Sequence, residues 1–473
     1  MKIKTLKIKL GLFLVLMGLF WSCSEEFLTP EPTDSLKSDE IFESYVTAEA
    51  ALVGTYDQLS NYKFEGMWVP LISDVMGEDI MINSVDNWGW FVETYQMNVL
   101  PGYTYVEHPW WTAYKVIFDA NHIIANAQTV PDASDEQKNN LEGQAKILRA
   151  FSHLRLIQMY APAYSVNPDA PGVLLAILPM DQDSHNIGRS SVSEVYNQIV
   201  IDLSSAIELL DYNTDKGFFD KRAAQAILAR TYLDMQEWEK ARDMAKQAYS
   251  EVDLMSINDM LGGFNTRNSE TIFTVAYTSE DNNVYMSIPS FYWPVAGYSS
   301  MRANDKFANM FNSMDARSSF FVMDSNIDPD RHLILKFAHN QQVGNAERIS
   351  IRASEMYLIA AECEAELGNF SDAQDEIYVV QSRAFPGAIK STETGQKLID
   401  EILVERRKEL FGEGFRWNDI KRRSLSVKRE GNHWVNLDFG VADADYYRLT
   451  FPIPQSEIDN NPLLTQEDQN IGY

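Results

Sequence analysis

Three carboxylates, Asp74, Glu78 and Asp79, fall within six residues of one another, close enough to suggest acid and base catalysis by a carboxyl pair. A glycoside hydrolase needs two such groups opposed across the substrate, however, and acids crowded on one short segment do not oppose each other. The seven histidines (His108, His122, His153, His185, His332, His339 and His433) are scattered without the spacing of metal ligands, and neither a Gly-x-Ser-x-Gly elbow nor a phosphate-cradling glycine loop occurs. Asp324-Ser325-Asn326-Ile327-Asp328-Pro329-Asp330 alternates oxygen donors like the start of a calcium loop. Pro329 nevertheless stands where the turn glycine belongs, and Leu335 where the closing glutamate belongs. The expectation is therefore a solvated acidic turn, with no catalytic residue, no metal site and no cofactor.

Aromatic rings are the more informative chemistry. The chain carries 10 Trp, 22 Tyr and 24 Phe, and Trp68, Trp88, Trp90, Tyr103, Tyr105, Tyr292, Trp293 and Tyr298 fall outside the segments with helical period. A sugar presents an apolar C–H face and a rim of hydroxyls, so it stacks on an exposed indole or phenol while Asp, Asn or Arg exchange hydrogen bonds with its rim. Asp86-Asn87-Trp88-Gly89-Trp90 and Ser290-Phe291-Tyr292-Trp293 combine both features. Trp88, Trp90, Tyr292, Trp293, Asp86 and Asn87 are accordingly the expected ligand contacts. The alternative use of the same rings is to plug these segments onto the scaffold.

The elements that must position these rings are helical. In Arg352–Leu367, the residues Met356, Ile359, Ala360, Cys363 and Leu367 recur at three- and four-residue steps, and Gly368-Asn369 ends the helix. Ser371–Arg383 turns Ala373, Ile377 and Val380 inward, which makes an αα-hairpin, and Leu398–Leu410 is helical again. Ile41–Ser60 predicts a helix with Phe42, Tyr45, Val46, Ala50, Val53 and Tyr56 on its inner face. Trp110–Val130 and Glu136–Tyr160 predict a second hairpin, and Ser193–Asp211 and Arg222–Ser250 further helices. Aligning Trp238-Glu-Lys-Ala241 with Phe370-Ser-Asp-Ala373 superposes Ala229 on Ala361 and Met235 on Leu367, the small-residue spacing of a tetratricopeptide unit. The fold class expected is mainly α: a tetratricopeptide-like α-solenoid with long irregular insertions at 61–109, 164–191 and 254–349 that form the ligand face.

Charges cluster at the C-terminal end of this scaffold. Glu405, Arg406, Glu409, Glu413, Arg416, Asp419 and Arg422 lie mostly three or four apart, so they can pair along and between helix faces, and Arg416 is expected to pair with Glu413 or Asp419. Carboxylates matched by guanidiniums read as ionised structural anchors rather than as acid/base catalysts. Arg352-Ala-Ser-Glu355-Met-Tyr357-Leu-Ile-Ala-Ala-Glu362, followed by Glu405-Arg-Arg-Lys-Glu409-Leu-Phe-Gly-Glu413-Gly-Phe-Arg416-Trp-Asn-Asp419-Ile-Lys-Arg422, resembles the core signature of the SusD/RagB family. Leu148-Arg-Ala150-Phe-Ser-His-Leu154 with Met159-Tyr160-Ala161-Pro162 is similar to that family's first helical repeat, with Ala161 where glycine is common. Tyr447-Arg-Leu-Thr-Phe-Pro452-Ile-Pro454 and Gln469-Asn470-Ile471-Gly472-Tyr473 resemble its terminal motif, with Ile471 where proline is common. The resemblance implies a surface lipoprotein that captures nutrients, chiefly glycans, for a SusC-like TonB-dependent transporter. It carries over no ligand residues, and it leaves open a member that binds peptide or protein.

The N-terminus agrees. Lys2, Lys4, Lys7 and Lys9 precede an apolar run, Leu10 to Trp21, too short for a membrane span and typical of a signal peptide. Ser22-Cys23 then suggests lipoprotein processing at residues 1–22, with Cys23 acylated, although Phe20 and Trp21 depart from the usual lipobox. Residues 23–40 read as an acidic, proline-stiffened tether and 41–473 as one SusD-like domain. Net charge is −28, about −32 (−28 − 4) without the four signal-peptide lysines. Such a charge repels nucleic acid and anionic membrane surfaces alike, so the membrane is reached through the N-terminal lipid alone. Cys363, the other cysteine, lies on an apolar helix face as a small hydrophobe without a disulfide partner.

Overall fold

Helices begin where the sequence supplies side-chain caps. Ser44 accepts from the Thr47 N–H to open α1 (Tyr45–Ser60), and capping boxes of Ser134 with Gln137 and Ser191 with Glu194 open α4 (Asp135–Tyr160) and α5 (Val192–Leu209). Asp220 accepts from Ala223 N–H to open α6 (Lys221–Asp234). The structure is a computed structural model that describes residues 40–84, 87–179, 187–293, 295, 297–323, 332–338 and 343–473. Cys23, Asp86 and the Asp324–Asp330 run lie outside the described residues.

The repeat read from the sequence is borne out helix by helix. α6 and α8 (Ala353–Glu366) are offset by 353 − 221 = 132 residues, and α7 (Trp238–Tyr249) and α9 (Phe370–Ala384) by 370 − 238 = 132. Even the turn that ends the first helix of each pair matches: Gln236 (φ 60°) and Gly368 (φ 82°), again 132 apart, both enter the left-handed region that reverses a helix end. Ala229, Ala241, Ala245 and Ala248 in one pair, and Ala361, Ala365 and Ala373 in the other, are buried where the helices approach. With α3 (Thr104–Asn126) packed on α4 and α10 (Gln396–Leu410) on α8, these pairs build the tetratricopeptide-like scaffold. Cys363 is fully buried in it, and burial pushes its thiol well up.

Two helices differ from expectation. α1 starts at Tyr45 rather than Ile41, and its inner face is Ala48, Leu52, Thr55, Tyr56 and Leu59, whereas Val46 and Val53 are 71% and 48% exposed. Leu52 and Leu59 out-compete the smaller valines for the core, which rotates the face. α3 starts at Thr104 and runs through Pro109; the missing N–H costs one bond to the preceding turn, yet the extra turn carries Tyr105 and His108 up to the aromatic segments.

The described parts of the insertions contain regular elements. Residues 61–109 include α2 (Trp68–Val75), buried at every position, and β1 (Ile80–Ile82). α2 is only eight residues long, too short a window for its period to stand out, and its polar Ser73 and Asp74 are buried with the rest. Residues 164–191 contain β2 (Pro171–Leu174) paired with β3 (Arg189–Ser191). Residues 254–349 supply β4 (Thr271–Val275), β5 (Met301–Ala303), β6 (Phe321–Met323), β7 (His332–Ile334) and the start of β8 (Arg348–Arg352). β1 and β5 pair antiparallel, with Ile80 opposite Ala303, in a four-stranded sheet of order β1-β5-β7-β6. That pairing draws together segments more than 200 residues apart in sequence. β8 pairs with β4 and feeds directly into α8, delivering Arg352 to the centre of the charge cluster.

The cluster is a buried, balanced network. Arg352, 1% exposed, donates to Glu270 (2.6 Å), Glu409 (2.6 Å) and both oxygens of Glu413 (2.8 Å each). Lys336 joins Glu413 at 2.6 Å, Arg317 joins Asp315, Glu405 and Glu409, Arg383 joins Glu270 and Glu409, and Lys408 joins Asp315 and Glu405. Five cations thus face five carboxylates, which is what allows so many charges to stay ionised away from water. Arg416 corrects the sequence reading: its guanidinium meets Glu78, not Glu413 or Asp419. Glu413 is taken by Arg352 and Lys336, and Asp419 by Arg406 and Arg422, so a long-range partner displaces the neighbours at helical spacing.

Candidate functional site: an aromatic ledge

Beyond β1 the chain makes a tight turn. Asn87 holds it at both ends: its carbonyl accepts from Trp90 N–H (3.1 Å) and its side-chain amide donates to the Trp90 carbonyl (2.5 Å). Both central residues, Trp88 (φ 56°) and Gly89 (φ 81°), have positive φ, the signature of a mirror-image turn that glycine enters freely and tryptophan does not. The strain places the Trp88 indole in solvent, 79% exposed. Strain of this kind concentrates at functional positions.

Trp90 points the other way, half-buried, with its ring edge-on to Phe291 (5.4 Å) and Tyr298 (5.3 Å). Ring contacts then continue from Phe291 to Phe91 (5.7 Å), Tyr105 (4.6 Å, stacked), Trp68 (4.7 Å), His108 (5.7 Å) and Trp111 (5.4 Å). Trp111, at the far end, is 44% exposed. Segments 87–91 and 288–293 with Tyr298, separate in sequence, therefore meet in one aromatic band that ends at Trp111, and the exposed Trp88 is two residues from the band's Trp90. Gly297 is required for this junction, because a Cβ there would lie 1.9 Å from Ser290 Oγ.

The expected contact residues divide. Trp88 is exposed, Trp90 and Trp293 are half-buried, and Asn87 is buried as the turn's brace, with its side-chain oxygen free of protein partners. Tyr292 is corrected: it is fully buried, stacked on Phe337 at 5.0 Å, and its hydroxyl donates to Asp74 at 2.9 Å. It anchors the 288–298 segment to α2 instead of offering a ring to a ligand. The sequence does not mark Phe91, His108 and Trp111 as ligand-facing rings, and Trp111 falls within the helical period of Trp110–Val130. Trp434, 37% exposed, lies beside the ledge's root, since its indole N–H donates to the Ile82 carbonyl at 3.0 Å. Nothing in the sequence links positions 350 residues apart.

The three acids considered for hydrolysis are committed to structure. Burial drives Asp74 up to about 7, and the Tyr292 hydroxyl and Gly414 N–H pull it only part of the way back. Burial also pushes Glu78 up, but the Arg416 and Arg407 guanidiniums prevail and hold it at about 2. Asp79 lies 2.6 Å from Arg407 Nε. Among the described residues no group of His, Cys, Asp and Glu is arranged to hold a metal ion, and no helix is long and apolar enough to cross a membrane.

The sequence model of the SusD family matches residues 213–473, more than half of the chain. The chain belongs to the SusD family. A second family, described as starch-binding associating with outer membrane, matches residues 26–233. Relatives include SusD-like protein P25 of Formosa agariphila, 24% identical over 98% of this chain and 100% of its own length, and a SusD-like protein of Bacteroides ovatus, 23% identical over 95% of each. Among solved structures, a SusD superfamily protein of Bacteroides thetaiotaomicron superposes with a TM-score of 0.82 at 27% identity, covering 90% of this chain and 99% of the other. A SusD-like carbohydrate binding protein of Bacteroides vulgatus superposes with a TM-score of 0.80 at 26% identity, covering 90% and 98%. The segments that resemble the family signature hold Arg352, Glu409 and Glu413 of the ion-pair network, and Arg422, which pairs with Glu362 and Asp419, while all of the aromatic ledge but Trp111 lies in the insertions.

Proposed function

We propose that this protein is a glycan-binding lipoprotein of the cell surface, anchored through acylated Cys23, that captures oligosaccharide or polysaccharide and delivers it to a SusC-like TonB-dependent transporter. In this reading residues 1–22 are removed, 23–40 form the tether, and 41–473 form the binding domain. The observation that carries it is the ledge: a strained turn presents an exposed Trp88 next to half-buried Trp90, and Trp111 is exposed at the far end of a band whose Trp68, Phe91 and Phe291 are buried; exposed indoles are what a sugar's C–H face stacks on. Family membership supports it, since one matching family is described as starch-binding at the outer membrane and one structural relative as carbohydrate binding.

Catalysis is not part of the proposal. SusD-like binding proteins are generally non-catalytic, and Asp74, Glu78 and Asp79 are held by Tyr292, Arg416 and Arg407 instead of facing each other across a cleft. A glycan array probed with the mature chain, run beside a reducing-sugar release assay, tests both halves. Binding without release is expected. Release of reducing ends would restore the hydrolase reading, and capture of peptides with no glycan bound would replace sugar by peptide as the ligand.

A further inference from the structure

The charges around the ledge narrow the ligand class. Residues 83–111 and 277–300, which supply nearly all of the band, contain no lysine and no arginine, and residues 60–68 contain only Lys63. Lys63 Nζ itself lies over the Tyr62 ring, 5.7 Å from its centroid. Among the described residues the same stretches carry Glu65, Glu93, Glu107, Glu280 and Asp281. His108 supplies no positive charge either, because burial first, and the nearby Lys63 second, lower its pKa.

Cations further back are engaged. Arg416 and Arg407 lie on Glu78 and Asp79, Arg429 donates to the Val75, Gly77 and Tyr95 carbonyls, and buried Arg302 donates to Ser299 and Met301 carbonyls. A sulfate or uronate laid against aromatic rings must exchange hydration for a charge-assisted donor, which these segments lack. A net charge of −28 adds long-range repulsion. We infer that the ledge takes an uncharged glycan and discriminates against sulfated and uronic-acid polysaccharides; this rests on the glycan-binding reading above.

The test is affinity electrophoresis and calorimetric titration of the mature chain with two sets of probes. Laminarin, starch, xylan and galactomannan form the neutral set; alginate, polygalacturonate and carrageenan form the anionic set. Each is measured at about 10 mM and about 200 mM NaCl, where the screening length falls from roughly 30 Å to under 10 Å. Expected is binding to at least one neutral glycan, with an affinity that changes less than about twofold with salt and at least about tenfold weaker binding of every anionic probe. That neutral-glycan affinity should also drop in Trp88→Ala. An anionic polysaccharide bound more tightly than any neutral one, and weakened by salt, would overturn the inference while leaving the glycan-binding reading intact. No binding to either set would remove that reading and this inference with it.

Discussion

The Arg416–Glu78 pair gives the sharpest test of the structural account, because the sequence and the structure assign Arg416 different partners. Glu78 is 11% exposed and Arg416 13%, with Nε 3.1 Å from the carboxylate. Two routes give the magnitude. Glu78 falls from 4.5 to about 2, which at about 1.4 kcal/mol per pH unit corresponds to roughly 3 kcal/mol of stability. Breaking a buried pair costs about 3–5 kcal/mol, and the low end applies because Arg407, 3.7 Å away, still faces Glu78. Arg416→Ala should therefore cost about 3 kcal/mol in urea unfolding. A double-mutant cycle with Glu78→Gln should show coupling of about 1.5–3 kcal/mol, and the same cycle with Asp419→Asn less than about 0.5 kcal/mol. Since Glu78 has its pKa depressed in the folded state, this stability is present above pH 4.5 and is lost as pH falls toward 2. Coupling to Asp419 larger than coupling to Glu78 would refute the assignment.

Tyr292→Phe removes the hydroxyl donated to buried Asp74 and should cost about 1–2 kcal/mol of stability while leaving glycan affinity unchanged; lost affinity with full stability would return Tyr292 to the ligand. His153, fully buried and lowered to about 3 by burial and then by Arg149, contributes stability above pH 6.5 that is lost as pH falls. Asp74, raised to about 7, works in the opposite sense, stability falling as pH rises from about 4 to about 7. His153→Gln and Asp74→Asn should consequently tilt the stability profile between about pH 7 and pH 5 in opposite directions, by about 2 kcal/mol each, and parallel profiles would contradict these environments. Cys23→Ala should abolish lipid labelling and release the protein from the membrane fraction; retained label would place the anchor elsewhere.

Period and caps made the scaffold legible. The 132-residue offset between the two helix pairs is reproduced at both of their starts, although Lys221, Ala353 and Phe370 each lie one residue from the expected Arg222, Arg352 and Ser371, because amphipathic helices and small packing residues are local properties. α2 is not legible because eight residues are too few for a period to stand out, and its polar Asp74 is taken inward by a tertiary contact to Tyr292. Charge partners were legible only as a group: a run of acids and arginines declares a network, but Arg416 finds Glu78 through tertiary contact. The candidate ledge was half legible. Asn87-Trp88-Gly89-Trp90 stands out as a segment of rings and hydrogen-bonding groups without helical period, whereas which ring faces solvent, and whether Tyr292 meets Asp74, depends on a helix more than 200 residues upstream.

The central claim is that the ledge holds the glycan through exposed rings, and titration of Trp88→Ala tests it most directly. Trp88 is 79% exposed in a strained turn, so its loss should leave the helical circular-dichroism signal and the melting temperature within error of wild type. Glycan affinity should fall by about 1–3 kcal/mol, roughly 5- to 150-fold, for a lost aromatic stacking contact. Wild-type affinity in a folded Trp88→Ala protein would contradict the account.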